Sequence, residues 1–180
     1  MSNYWDYSRD KGAQTHVSYP YDGYRKACRN QEGKVVASRA ANYGMLSGGT
    51  TEMMQRIQEG PLAVGVSALN DCWRWYSDGV LSSAHNCPTN TDHVAAIVGL
   101  HFAEEGSAEA DMSNMTASSM PADCPAMKNL QPTDDSSQDY WIVQNSWSEL
   151  WGRRGFIRIA IEDGVGVSGI NQYAYWMTVQ

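Results

Sequence analysis

Three observations predict an α+β fold in which strands carry most of the order. Two runs rich in β-branched and aromatic residues, Tyr140-Trp141-Ile142-Val143 and Phe156-Ile157-Arg158-Ile159-Ala160-Ile161, flank a polar turn holding Asn145, Trp147, Trp151 and Gly152. A third apolar run, Val94-Ala95-Ala96-Ile97-Val98-Gly99, is opened by His93. Near the N-terminus, residues 2–11 read as a helix that presents Tyr4, Trp5 and Tyr7 and closes at Gly12, the residue type that suits a helix C-terminus.

The polar turn sets the functional question. An Asn placed beside Trp at the end of an apolar strand costs free energy unless its amide finds partners. His93, at the head of its own strand, is the partner the sequence supplies. A His whose ring N–H is held by an Asn oxygen is fixed in one tautomer and orientation. That is the supporting half of a nucleophilic dyad. His16, His85 and His101 have no motif around them and read as surface residues.

The remaining elements follow in order. Ser18-Tyr19-Pro20-Tyr21-Asp22-Gly23 is a turn with aromatic anchors, and residues 35–43 read as an extended segment. Thr50 or Thr51 caps a predicted helix over 52–58, closed by Gly60-Pro61. Residues 62–66 form a short apolar strand. Residues 70–76 carry Cys72, Trp73 and Trp75 before a Ser77-Asp78-Gly79 turn. The strand at 156–161 has one exposed edge position, Arg158. Residues 164–170 are turn-forming, and 173–177 read as a final strand.

Residues 103–139 differ from the rest. They hold eight acidic residues against Lys128 alone and no aromatic, so they account for the whole net charge of −7. Such a composition buries too little surface to order itself, and it reads as a flexible acidic insertion in a single domain spanning 1–180. Its carboxylates lack the spacing of a calcium loop. The negative charge argues against nucleic-acid binding, and no apolar run is long enough to span a membrane. The N-terminus has neither the basic start nor the apolar middle of a signal peptide. The four cysteines, Cys28, Cys72, Cys87 and Cys124, include no Cys-x-x-Cys pair, which argues against zinc ribbons and redox motifs. All four are disulfide candidates, and no metal or cofactor is implied.

Taken together, the motifs resemble a family. Ser18-Tyr19-Pro20-Tyr21, Gly60-Pro61-Leu62-Ala63-Val64, Tyr76-Ser77-Asp78-Gly79-Val80, Asp92-His93 with Val98-Gly99, Asn145-Ser146-Trp147, Trp151-Gly152 and Gly155-Phe156-Ile157-Arg158 resemble the papain-like cysteine peptidases, in the style of the cathepsin L group. The resemblance implies a papain-like fold, mainly its β-barrel-like C-terminal half plus one helix of the other half. It implies His93 as general acid and base, Asn145 as its orienter, and Trp147, with Trp151, as active-site support. Met1, Gly65, Thr91, Asp92 and Tyr173 would bind substrate, with Tyr173 making the pocket shallow. A peptide or protein substrate and a lysosomal or extracellular compartment follow from the same likeness.

The departures are as informative. The family's oxyanion Gln, its Cys-Gly-Ser-Cys-Trp segment and its Gly-Cys-x-Gly-Gly stretch are absent from these 180 residues. The resemblance therefore covers the C-terminal two-thirds of a mature enzyme. It implies a companion chain or segment carrying the Cys nucleophile, with Cys28 at the position of a family cysteine that bonds to that region. Cys87 matches a position whose usual partner is replaced by Ser168, so it bonds Cys72 or Cys124 or stays free. Cys72, followed by Trp73, reads as structural rather than as a relocated nucleophile. Ser148 stands where Gly usually follows Asn-Ser-Trp. The rival to a peptidase portion is a catalytically inactive papain-fold subunit that contacts a larger assembly through the acidic insertion.

Overall fold

The computed structural model describes residues 2–27, 36–47, 49–103 and 137–179. Met1, Cys28, Cys124 and residues 104–136 of the acidic insertion lie outside the described residues. The chain divides into two compact units, Met1–Gly44 with Trp176–Gln180, and Met45–Tyr175.

The first unit begins with α1, Ser2–Lys11. It ends where Gly12 takes φ +81° and its N–H reaches the Ser8 carbonyl at 2.9 Å, a left-handed terminus that a residue with a Cβ adopts only under strain. Arg39 then donates to the last helical carbonyls, those of Arg9 and Asp10, at 3.4 and 3.0 Å. A cation there meets both orphan acceptors and the negative end of the helix dipole. The strands β1, Ala13–Gln14, and β2, Val36–Ser38, pair antiparallel. The strand β3, Ala40–Met45, is tied to α1 by the Tyr43 hydroxyl, which donates to Asp6 at 2.7 Å. That bond is the main reason the Tyr43 hydroxyl holds its proton above the usual phenol range.

The second unit carries the main sheet. Its members are β4 (Leu62–Val66), β5 (Val80–Leu81), β6 (His93–His101), β7 (Tyr140–Gln144), β8 (Phe156–Ala160) and the start of β9 (Ala174–Val179), in the order β9-β4-β6-β7-β8-β5. All neighbours are antiparallel except β5 on β8. Strand alternation sends Leu62, Val64, Val66, Ala95, Ile97, Trp141, Val143, Ile157 and Ile159 into the core. A bulge at Val98 lets β6 continue past Gly99 while keeping Leu100 opposite Trp141.

Several expectations shift in detail. The helix expected over 52–58 is α2, Gly49–Arg56. Thr50 does not cap it. Its hydroxyl donates instead to Asp163 at 2.6 Å, while Glu52 accepts from the Ser47 N–H at 2.9 Å. A tertiary partner displaced the local cap. Arg158 is not at an exposed edge: β8 lies between β7 and β5, and the Arg158 guanidinium sits 5.2 Å from the centre of the Tyr140 ring. His85 and His101 are half-buried rather than surface residues. His85 Nδ1 accepts from the Ser82 N–H at 3.0 Å, and His101 stacks on Tyr140 at 4.7 Å. Among the described residues, no helix is long and apolar enough to cross a membrane.

Tyr76 ties the β5 turn to the sheet. Its buried hydroxyl donates to the Gly79 carbonyl at 2.7 Å and accepts from the Arg158 N–H at 3.2 Å. Burial pushes its pKa up to about 12. The folded value lies above the unfolded one, so the stabilisation is whole below pH 10 and is lost as pH rises toward 12. The expected loss across that window is about 2–3 kcal/mol. Tyr76→Phe should be less stable by about 1 kcal/mol at pH 8, yet show a flatter decline above pH 10. Urea unfolding at stepped alkaline pH measures both.

Candidate active site

The strand ends build the site. His93 is the first residue of β6 and pairs with Val66, the last residue of β4. Asn145 follows Gln144, the last residue of β7, and its backbone N–H is held by the Gly155 carbonyl at 2.9 Å. Since β6 and β7 are antiparallel neighbours, the head of one lies beside the tail of the other. His93 Nε2 lies 2.9 Å from Asn145 Oδ1.

The protonation of that pair follows from the acceptor. Asn145 Oδ1 also accepts the Ser146 backbone N–H at 2.7 Å, which fixes which end of the amide is oxygen. An amide oxygen only accepts, so Nε2 carries the proton and donates. Nδ1 is left as the basic nitrogen, without a partner among the described residues. An imidazole with one nitrogen committed and the other open is equipped to take up and return a proton.

An aromatic wall backs the ring. Trp147 lies 5.3 Å from His93 between ring centres. Trp73 meets His93 edge-on at 6.4 Å and Trp147 at 6.4 Å, and it stacks on Trp151 at 5.8 Å. Trp151 in turn meets Trp147 at 5.2 Å. Each such pair contributes about 0.5–1.5 kcal/mol beyond the area it buries. The expected support residues, Trp147 and Trp151, are therefore both in the cluster, and Trp151 also donates its indole N–H to the Trp73 carbonyl at 2.8 Å. Trp73 is the residue sequence reasoning passed over. It is fully buried, whereas Trp75, two positions on and roughly on the opposite side of the helical turn, is exposed.

Of the expected substrate-binding residues, three lie together. A Cβ at Gly65 would stand 2.7 Å from the Thr91 methyl and 3.2 Å from Tyr173 Cβ, so both side chains close over the glycine. Asp92 Oδ1 accepts the N–H groups of Ala68 and Leu69 at 2.8 and 3.2 Å, which shapes the loop leaving β4. Met1 lies outside the described residues.

Cys72 and Cys87 form a disulfide, with Cα atoms 6.0 Å apart. This resolves the partner of Cys87 and removes Cys72 from the set of free thiols. Ser168, at the position of the usual cysteine, is buried and accepts the Trp73 indole N–H at 3.0 Å. Ser148, at the position of the usual glycine, takes φ +76°, the left-handed region where a glycine is unstrained. Among the described residues there is no group of three or more His, Cys, Asp or Glu that could hold a metal ion.

A His fixed by an Asn across neighbouring strand ends, within a Trp wall, defines a protein of the cysteine-peptidase fold. The chain belongs to the papain family: the model described as papain family cysteine protease matches residues 1–178. It is 27% identical over 177 residues to cathepsin L1 of Drosophila melanogaster, covering 96% of this chain and 39% of that protein. To digestive cysteine proteinase 2 of Homarus americanus it is 26% identical over 162 residues, covering 89% of this chain and 40% of that one. The chain thus spans about two-fifths of the length of such relatives. In fold it is similar to the bromelain protease of Ananas comosus, solved with the E64 inhibitor, with a TM-score of 0.73, 21% identity, and coverage of 98% of this chain and 67% of that one. The papain-like fold is therefore that of this chain.

Asn145→Ala should free the His93 ring. Long-range proton–nitrogen spectra are expected to show His93 as the Nε2–H form in the wild type and as an exchanging mixture of both tautomers in the variant. A single Nε2–H form in Asn145→Ala would mean that another group holds the proton.

Proposed function

We propose that the chain is part of a papain-like cysteine endopeptidase, supplying the His and Asn of the reaction while a companion segment or chain supplies the Cys nucleophile and the oxyanion Gln. The observation that carries this reading is the His93–Asn145 pair, with Nε2 committed at 2.9 Å and Nδ1 open. In the proposed reaction a thiolate, kept ionised by the His93 imidazolium, attacks the peptide carbonyl. His93 protonates the leaving amine, and water, deprotonated by the same ring, hydrolyses the thioester. Asn145 keeps the ring in register through both transfers, and Trp147 excludes water from the bond that does so.

Gly65, Thr91 and Tyr173 would line the pocket for the substrate residue two before the cut. With Thr91 and Tyr173 closed over Gly65, a small side chain suits it. The Cys72–Cys87 bond fits an oxidising setting, lysosomal or extracellular. By resemblance, the companion would bond to this chain through Cys28.

The test uses native material. A thiol-reactive peptidyl epoxide should label a cysteine outside this 180-residue sequence, and His93→Ala should abolish labelling. An assembly that neither labels nor cleaves would make the chain an inactive papain-fold structural or binding subunit. Peptide cleavage by the purified chain alone, surviving Cys72→Ala, would contradict the need for a companion. In the active assembly, Tyr173→Ala should move kcat/KM toward larger side chains at that position by about tenfold, as read from a peptide series that varies only there.

A further inference from the structure

We propose that Trp73 is a positioning residue for His93, and that the Cys72–Cys87 disulfide, together with Ser168, clamps it in place, so that reduction of this bond loosens the His93–Asn145 pair. The proposal rests on reading that pair as the working half of the site.

Trp73 belongs to α3, Asp71–Arg74, a single turn with little stability of its own. Its local support is the Asn70 side chain, which accepts the Cys72 N–H at 3.0 Å and donates to the Ser67 carbonyl at 2.9 Å, and the backbone bonds of the turn, such as Arg74 N–H to the Asn70 carbonyl at 3.0 Å. The placement of the indole therefore comes from elsewhere. Ser168 accepts its N–H at 3.0 Å, and the Ser168 carbonyl accepts the Ser67 N–H at 2.8 Å, which ties the same serine to the end of β4. Trp151 holds the Trp73 carbonyl at 2.8 Å. The neighbouring Cys72 is bonded to Cys87, six positions before His93 on the segment that leads into β6. One covalent bond thus joins the turn that carries the aromatic wall to the approach of the residue the wall supports.

Cys87 lines an open cavity of about 270 Å³ with Ser83, Asn86, Thr89, Glu162 and Ser168, so a small thiol can reach it. A dithiol reduces the bond by two successive exchanges. One thiolate attacks a sulfur to give a mixed disulfide, the second displaces it, and the products are two cysteine thiols and the oxidised dithiol. The covalent tie between the segments 70–76 and 86–92 is then gone, and Trp73 is held by its hydrogen bonds and ring contacts alone. The reductant that keeps a catalytic thiol active would then release the support behind its histidine.

The experiment follows the His93 Nε2–H in the full chain, oxidised, reduced with a dithiol and reoxidised. Exchange of that proton with solvent should speed up about tenfold on reduction and recover on reoxidation. Trp73→Phe and Ser168→Ala should each speed it partway, and together no more than either alone, because they break one hydrogen bond. Met53→Leu, a core change away from Trp73, controls for stability and should leave it unmoved. Exchange unchanged on reduction while the amides of residues 70–90 shift would overturn the proposal. So would global unfolding on reduction, which would make the bond a stability element only. Neither result depends on peptide cleavage, whose absence would instead count against the peptidase reading.

Discussion

Asn145 Oδ1 serves two donors at once. It takes the Ser146 backbone N–H at 2.7 Å and the His93 ring N–H at 2.9 Å. The first bond is local and sets the direction of the amide. The second spans two strands and sets the tautomer of the histidine. Neither would be reliable alone. Without Ser146 the amide could present its NH2 end, and without His93 the oxygen would be underused in a half-buried place where an unmet polar group costs about 1–3 kcal/mol. The strand register exists in service of this arrangement: β6 and β7 must pair so that Gln144 faces Ala96, since a slip of one residue would turn the next side chain to the opposite face.

The hydrogen bond would be weaker in open water than beside Trp147. Low local polarity strengthens a satisfied hydrogen bond and penalises a broken one. The aromatic cluster supplies that environment from two separate stretches of chain: Trp73 from a single helical turn, Trp147 and Trp151 from the loop after β7. Tyr76 extends it, 5.9 Å from Trp151, and its hydroxyl carries the contact into β8. The buried core and the site are thus continuous. The residues that make the second unit stable also keep water from the His–Asn bond.

Much of this was legible in the sequence. Apolar, β-branched and aromatic runs mark β4, β6 and β7, and alternation marks β8, because buried strands must fill the core while separating their faces. The His93–Asn145 pairing was legible because both polar residues end apolar runs and each needs a partner. Other features were not legible, for stated physical reasons. Arg158 looked like an edge position because β5, its neighbour, has only two residues and a parallel register that no local pattern encodes. Thr50 looked like a helix cap because its Asp163 partner lies 113 positions away. His101 and Asp92 have roles set by contacts that form only once the sheet is built. Four cysteines leave several pairings open, and spacing does not choose among them.

Ser168 and Trp73 meet each other's needs. A buried serine in the left-handed region, with φ +54°, has an unfavourable backbone and a hydroxyl that needs a partner. Trp73 provides that partner, and Ser168 provides the acceptor that a fully buried indole N–H requires. Each residue would be costly without the other. Cys87 is bonded to Cys72, the position just before that same tryptophan. The hydrogen bond and the disulfide therefore converge on one turn from opposite directions. That convergence lets a four-residue helix hold a wall against which a catalytic-type imidazole can rest, where neither propensity nor length would have kept it in place.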